Sequence, residues 1–130
     1  MAMSGPPGGP GTIDVTRGGG EFGRGFYTQS SPANALTWAQ NRFPAQGPCL
    51  LEVDIDDPAY AGLNVRQLDR KQALRLTQRL RQQHATGTYL AGVDVILGPL
   101  SGSQWIDQQK FESADAQTLL NGPQTQRRVV

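Results

Sequence analysis

Gly18-Gly19-Gly20-Glu21-Phe22-Gly23-Arg24-Gly25-Phe26-Tyr27-Thr28 packs five glycines into its first eight positions. Glycine loses more backbone freedom on folding than any other residue. Such density therefore implies positive φ angles or a close approach of something to the main chain. Phe26 and Tyr27 follow at once and offer a flat surface on which a heteroaromatic ring can stack. Amides left open by glycine can face a phosphate, while an ordinary tight β-turn needs the same residues.

Upstream, Arg17 opens the glycine run and residues 13–15 predict a first strand. Residues 4–11, Ser-Gly-Pro-Pro-Gly-Gly-Pro-Gly, have nothing to bury and read as a flexible leader spanning residues 1–12. Such a leader suits a domain at the end of a longer protein, or an appended remnant. Downstream, Ser31-Pro32 is a helix start and Phe43-Pro44 its end. In residues 51–56, Leu51, Val53 and Ile55 alternate with Glu52, Asp54 and Asp56, the period of a half-buried antiparallel strand. Asp57-Pro58 breaks it. Asn64 is then expected to cap a helix running to about His84, with Val65, Leu68, Leu76 and Leu80 on one face.

Further on, Tyr89-Leu90 and residues 93–97 read as strand, with Gly92 a bulge or a tight approach and Gly98-Pro99 the stop. Ser113 caps a short helix through Leu120 that Gly122 and Pro123 end, and residues 124–130 form a last strand. Strands and helices mix without βαβ alternation, so the expected class is α+β, with residues 13–130 as one domain.

Composition narrows the function. The 130 residues carry 12 basic and 11 acidic side chains, so a uniformly basic nucleic-acid coat is excluded. No apolar run approaches the roughly 18 residues needed to cross a bilayer, and no membrane partner is expected. One Cys and one His exclude an internal disulfide and a Cys/His metal cluster, so no metal is expected. Cys49 reads as a small core residue and His84 as an exposed helix terminus. Glu52, Asp54 and Asp56 read as a solvated strand face rather than a divalent-cation site. Ten of the twelve cations are Arg, only Lys71 and Lys110 being Lys. Six of the twelve fall between residues 66 and 81 against one acid, Asp69, with Lys71, Arg75 and Arg79 in one helical stripe.

Phe22-Gly23-Arg24-Gly25-Phe26-Tyr27-Thr28, then Ser30-Ser31-Pro32-Ala33-Asn34-Ala35 and Trp38-Ala39, resembles the second motif of the ADP-ribosyltransferases, most closely their small bacterial toxin domains. Asp94-Val95-Ile96-Leu97-Gly98-Pro99 resembles a later strand of that family, and Gln124-Thr125-Gln126 partly resembles its third motif. The resemblance implies a split antiparallel sheet core with flanking helices and NAD⁺ bound in the cleft between the sheets. It implies that Arg17 and Gly18 contact the ribose or phosphates and that Tyr27 stacks on nicotinamide. Gly25, Phe26, Thr28, Ser30 and Ser31 would complete the NAD⁺ site. Gln124 or Gln126 would stand where the family has a Glu that stabilises the oxocarbenium-like transition state, and Glu112 is the other carboxylate in range. Gln orients a ribose but lacks the charge.

The expected function is then a bacterial toxin domain that transfers ADP-ribose from NAD⁺ to a target protein or RNA. It would act in the target-cell cytoplasm after delivery within a larger toxin, and would be held in check by a cognate immunity protein. An NAD⁺ glycohydrolase is the near alternative. An RNA-binding or RNA-cleaving domain using the basic helix is the distant one, with a catalytically dead binding module beyond it. Lys71, Arg75 and Arg79 would hold the acceptor; they equally suit a solvated face or a dock for an acidic immunity protein.

Overall fold

The computed structural model describes residues 12–29, 51–100 and 107–129. The expected helix after Ser31, Cys49, and the candidates Ser30 and Ser31 lie outside them. Within them a short hairpin of β1 (Gly19–Gly20) and β2 (Gly23–Arg24) leads into β3 (Phe26–Gln29). Then come β4 (Leu51–Ile55), α1 (Asp57–Ala61), β5 (Val65–Gln67), α2 (Arg70–Gln82), β6 (Val95–Pro99), β7 (Asp107–Phe111), α3 (Ala114–Asn121) and β8 (Thr125–Val129). The fold is a small mixed α+β one, as its sequence pattern implies. A four-stranded sheet runs β3-β7-β6-β5, and β4 pairs antiparallel with β8 in a separate two-stranded sheet. All strand pairs among the described residues are antiparallel except β5 with β6.

Because side chains alternate across a sheet, the four-stranded sheet serves two cores. Phe26, Phe111 and Val95 point to one, where they meet Ile13, Val15, Leu51 of β4, and Ala116 and Leu120 of α3. On the opposite face Ile96 joins Phe22, Val93 and Ala73, with Tyr27, Leu68 and Leu76 packed around them. The register sets Tyr27, Lys110, Ile96 and Arg66 in one row across β3, β7, β6 and β5. Both faces being covered, neither shows a simple polar and apolar alternation.

Several expectations are met and several corrected. The alternating strand is β4, and its acids face water: Glu52 pairs with Arg128 of β8 at 3.0 Å. Ser113 caps α3 by accepting from the Ala116 amide, and β8 follows Gly122 and Pro123. The helix expected from Asn64 begins only at Arg70. Val65–Gln67 is strand instead, because its backbone pairs with Val95–Leu97, and Asp69 caps α2 in a reciprocal box with Gln72. Asp57-Pro58 ends the strand as expected and also starts a short helix, Pro being well placed in a first turn. Residues 13–15 form no strand. The Ile13 and Val15 amides donate to Asn121 Oδ1 and Gln117 Oε1, both at 2.9 Å, so side chains of α3 stand in for a ladder. Tyr89 and Leu90 are irregular, and β6 runs on through Gly98 to Pro99. Gly92 has φ 78° in a bend before β6, with open space in its Cβ direction, so it is neither a bulge in β6 nor a tight approach. None of the described helices is long and apolar enough to cross a membrane.

Candidate functional site

The glycine-rich segment is an internally satisfied hairpin. Gly20 N donates to Thr86 O at 3.1 Å, Arg24 N to Tyr89 O at 2.9 Å and Gly25 N to Gly18 O at 3.2 Å. Those amides are therefore taken within the fold and form no phosphate cradle. The glycines admit the chain's own atoms. A Cβ on Gly18 would overlap the Gly25 carbonyl, and one on Gly25 would overlap the stem of Lys110.

Tyr27 is the hairpin's clasp. Its hydroxyl accepts from Phe22 N at 2.9 Å and donates to Gly23 O at 2.6 Å, while its ring lies under Gly20. Burial pushes its ionisation far above the ordinary tyrosine range. Tyr27→Phe would strand an amide and a carbonyl that are both shielded from water, and is expected to cost about 1–3 kcal/mol. Urea denaturation checks this; an unchanged midpoint would remove the clasp role.

Beside the hairpin lies a cleft of about 580 Å³, lined by Thr16, Arg24, Asn64, Asp94, Glu112 and Ser113 among others. Arg24 reaches it from β2, and its Nε is buried without a hydrogen-bond partner among the described residues. Two carboxylates also line it. Asp94 accepts from Ser113 Oγ at 2.6 Å and from Asn64 N at 2.7 Å, tying β6 to the start of α3. Glu112 accepts from the Ala91 and Gly92 amides at 3.1 and 2.9 Å, and Lys110 Nζ lies 2.5 Å from its Oε1. Lys110 is fully buried, and burial lowers its pKa; Glu112 pulls it back up and Arg24 pushes it further down. The lining of the cleft thus includes one arginine and two fixed carboxylates.

The other expected residues are dispersed. Arg17 is exposed and pairs with Asp14 at 3.5 Å. Phe26 is in the core, its ring 6.5 Å from that of Phe111, and Thr28 pairs with Gln109 in the sheet. Gln124 immediately precedes β8, and Gln126 lies near its start, opposite Asp54 and exposed. No hydrogen bond among the described residues joins either Gln to Tyr27 or Arg17. Lys71, Arg75 and Arg79 are exposed on α2, where Arg75 and Arg79 border a second cleft. Nothing in the order of the residues brings Arg24, Asp94 and Glu112 together as one site. Two signals nevertheless point to them: Arg24 sits between two glycines of the motif, and an arginine-rich chain places one of its two lysines two residues before Glu112. Among the described residues, no three His, Cys, Asp or Glu side chains are grouped to hold a metal ion. Comparison with known proteins returns no matching family, no matching curated protein and no matching solved structure.

Proposed function

We propose that this chain is an ADP-ribosyltransferase domain with a split-sheet core, consuming NAD⁺ and passing ADP-ribose to a macromolecule. The observation that carries the reading is the cleft beside the glycine hairpin, which Arg24, Asp94 and Glu112 all line, with Arg24 Nε buried and without a hydrogen-bond partner among the described residues. An arginine with a free buried donor suits a diphosphate, and a guanidinium fork binds such oxygens bidentately. A volume of about 580 Å³ is within the range of small-molecule sites. The two sheets on either side of a shared core also suit the resemblance.

In the proposed reaction the bond between nicotinamide and the ribose carbon breaks, nicotinamide leaves as a neutral ring, and an acceptor nucleophile forms the new bond and gives up its proton. Positive charge builds on the ribose as the ring departs, and a fixed carboxylate stabilises it. Glu112 offers that charge, which Gln124 and Gln126 lack; the two glutamines remain candidates for orienting the ribose. Tyr27 acts as a positioning residue through the hairpin. Arg17 and Gly18 would reach NAD⁺ only from the rim. In a cell the domain would be the effector part of a larger delivered toxin, neutralised by a cognate immunity protein. Residues 4–11 have the composition of a tether.

The test is incubation with labelled NAD⁺ and a bacterial lysate split into protein and RNA. Nicotinamide release with label in one fraction identifies the acceptor class, and release without transfer makes the domain a glycohydrolase. Arg24→Ala is expected to raise the KM for NAD⁺ by about tenfold or more, one charge-assisted hydrogen bond contributing about 1.5–3 kcal/mol. Gln126→Ala compared with Glu112→Gln decides which residue serves the ribose. An intact chain that consumes no NAD⁺ sinks the proposal.

A further inference from the structure

A second cleft of about 450 Å³ opens on the other side of the hairpin, between α2 and the edge strand β5. Arg66 enters it from β5, Arg75 and Arg79 from one face of α2, and Tyr89 from the loop beyond. None of the three arginines has an acidic partner among the described residues. Arg17, Arg81 and Arg128, elsewhere on the surface, pair with Asp14, Glu21 and Glu52. No acid among the described residues lines the cleft, and its floor is apolar, formed by Leu76 and Ile96. The Arg79 guanidinium stands 5.5 Å from the Tyr89 ring centroid.

We infer that this cleft binds single-stranded RNA, with Arg66 and Arg75 on backbone phosphates and a base stacked against the Tyr89 and Arg79 pair. Charge alone would equally suit an acidic peptide. The flat aromatic and guanidinium surface on an apolar floor favours a nucleobase, because every base has a π-face to stack and a carboxylate side chain has none. Three arginines and no lysine fit phosphate oxygens, which the planar fork meets bidentately. Arg75 and Arg79 are four residues apart, so they project in succession along the cleft. The inference does not rest on NAD⁺ consumption, and binding is measured without NAD⁺, so the two can fail separately.

The experiment is fluorescence anisotropy of a labelled single-stranded RNA, about twelve uridines long, titrated with the full chain at several salt concentrations. Micromolar binding is expected, within the roughly 1–100 μM range of non-specific nucleic-acid association. Arg75→Gln with Arg66→Gln should weaken it at least tenfold. The same pair should flatten the slope of log K against log salt by about 1.4, or about 0.7 for each phosphate left without its arginine. Tyr89→Leu, which keeps the apolar bulk, should weaken binding about fivefold or more without altering that slope. Lys71 shares the stripe read from the sequence but does not line the cleft, so Lys71→Gln should change affinity less than about twofold. Each variant's thermal midpoint is taken alongside. Absence of RNA binding by the intact chain, an equal loss with Lys71→Gln, or displacement of RNA by polyglutamate at equal affinity would each overturn the assignment. The last result would make the cleft a dock for an acidic protein.

Discussion

Gly23→Ala is expected to lower the unfolding free energy by about 2–6 kcal/mol. Two independent costs combine at this position. The backbone has φ 98°, where a side chain is strained by about 1–3 kcal/mol. A Cβ there would also overlap the Tyr89 carbonyl, the group that accepts the Arg24 amide and ties the hairpin to the segment after α2. Forcing that contact apart adds overpacking of about 1–3 kcal/mol. Two other glycines separate the costs. Gly92 has φ 78° but open space around its Cβ direction, so Gly92→Ala should show the backbone strain alone, about 1 kcal/mol. Gly87 has neither feature, and Gly87→Ala should be neutral or stabilise by up to about 1 kcal/mol. Urea midpoints at constant slope measure all three. A Gly23 variant no worse than the Gly92 one would mean that the hairpin yields to the added methyl.

Glu112→Ala is the second large effect, a loss of about 3–5 kcal/mol. It would leave Lys110 buried without its counter-charge and the Ala91 and Gly92 amides without an acceptor. The penalty belongs to the stranded groups rather than to the worth of the pair. Adding Lys110→Met should therefore recover at least half of it. The pH dependence has a definite sign. Burial lowers the pKa of Lys110 below its ordinary 10.5, so in the window between the folded value and 10.5 the unfolded chain binds the proton more tightly. Unfolding then takes up a proton, and stability rises with pH through that window. In Glu112→Gln the counter-charge is gone and the window reaches lower. Its deficit against the wild type should shrink as pH is raised towards about 10. A deficit that stays constant with pH, or no recovery in the double variant, would show that the lysine's charge is not what the carboxylate balances.

What can be read from the amino acids alone follows the physics of each segment. β4 is legible because one of its faces meets water, so Leu51, Val53 and Ile55 alternate cleanly with acids. α3 is legible from its punctuation by Ser113 and Gly122. β7 is not, because its two buried polar side chains, Gln108 and Lys110, are satisfied by carboxylates that no strand pattern marks. Gln108 donates to Glu21, 87 positions earlier, which also holds Arg81 of α2. β5 looks like the first turn of α2 because Val65 and Leu68 share helical spacing, and only pairing with β6 decides between the two. The glycine segment does mark a place of close approach. What approaches Gly18, Gly23 and Gly25 is the protein itself.

The pairing of β3 with β7 and of β4 with β8 governs how the molecule must fold. Phe26 waits for Phe111, and Leu51 for Val129, so neither sheet closes until most of the described chain is available. Loop closure on that scale is lost entropy before any contact repays it, which places the domain among slow folders rather than microsecond ones. The β1–β2 hairpin and α2, by contrast, join residues that are close in sequence. β7 lies between β3 and β6, so the burial of Lys110 and Glu112 requires strands from both halves of the described chain.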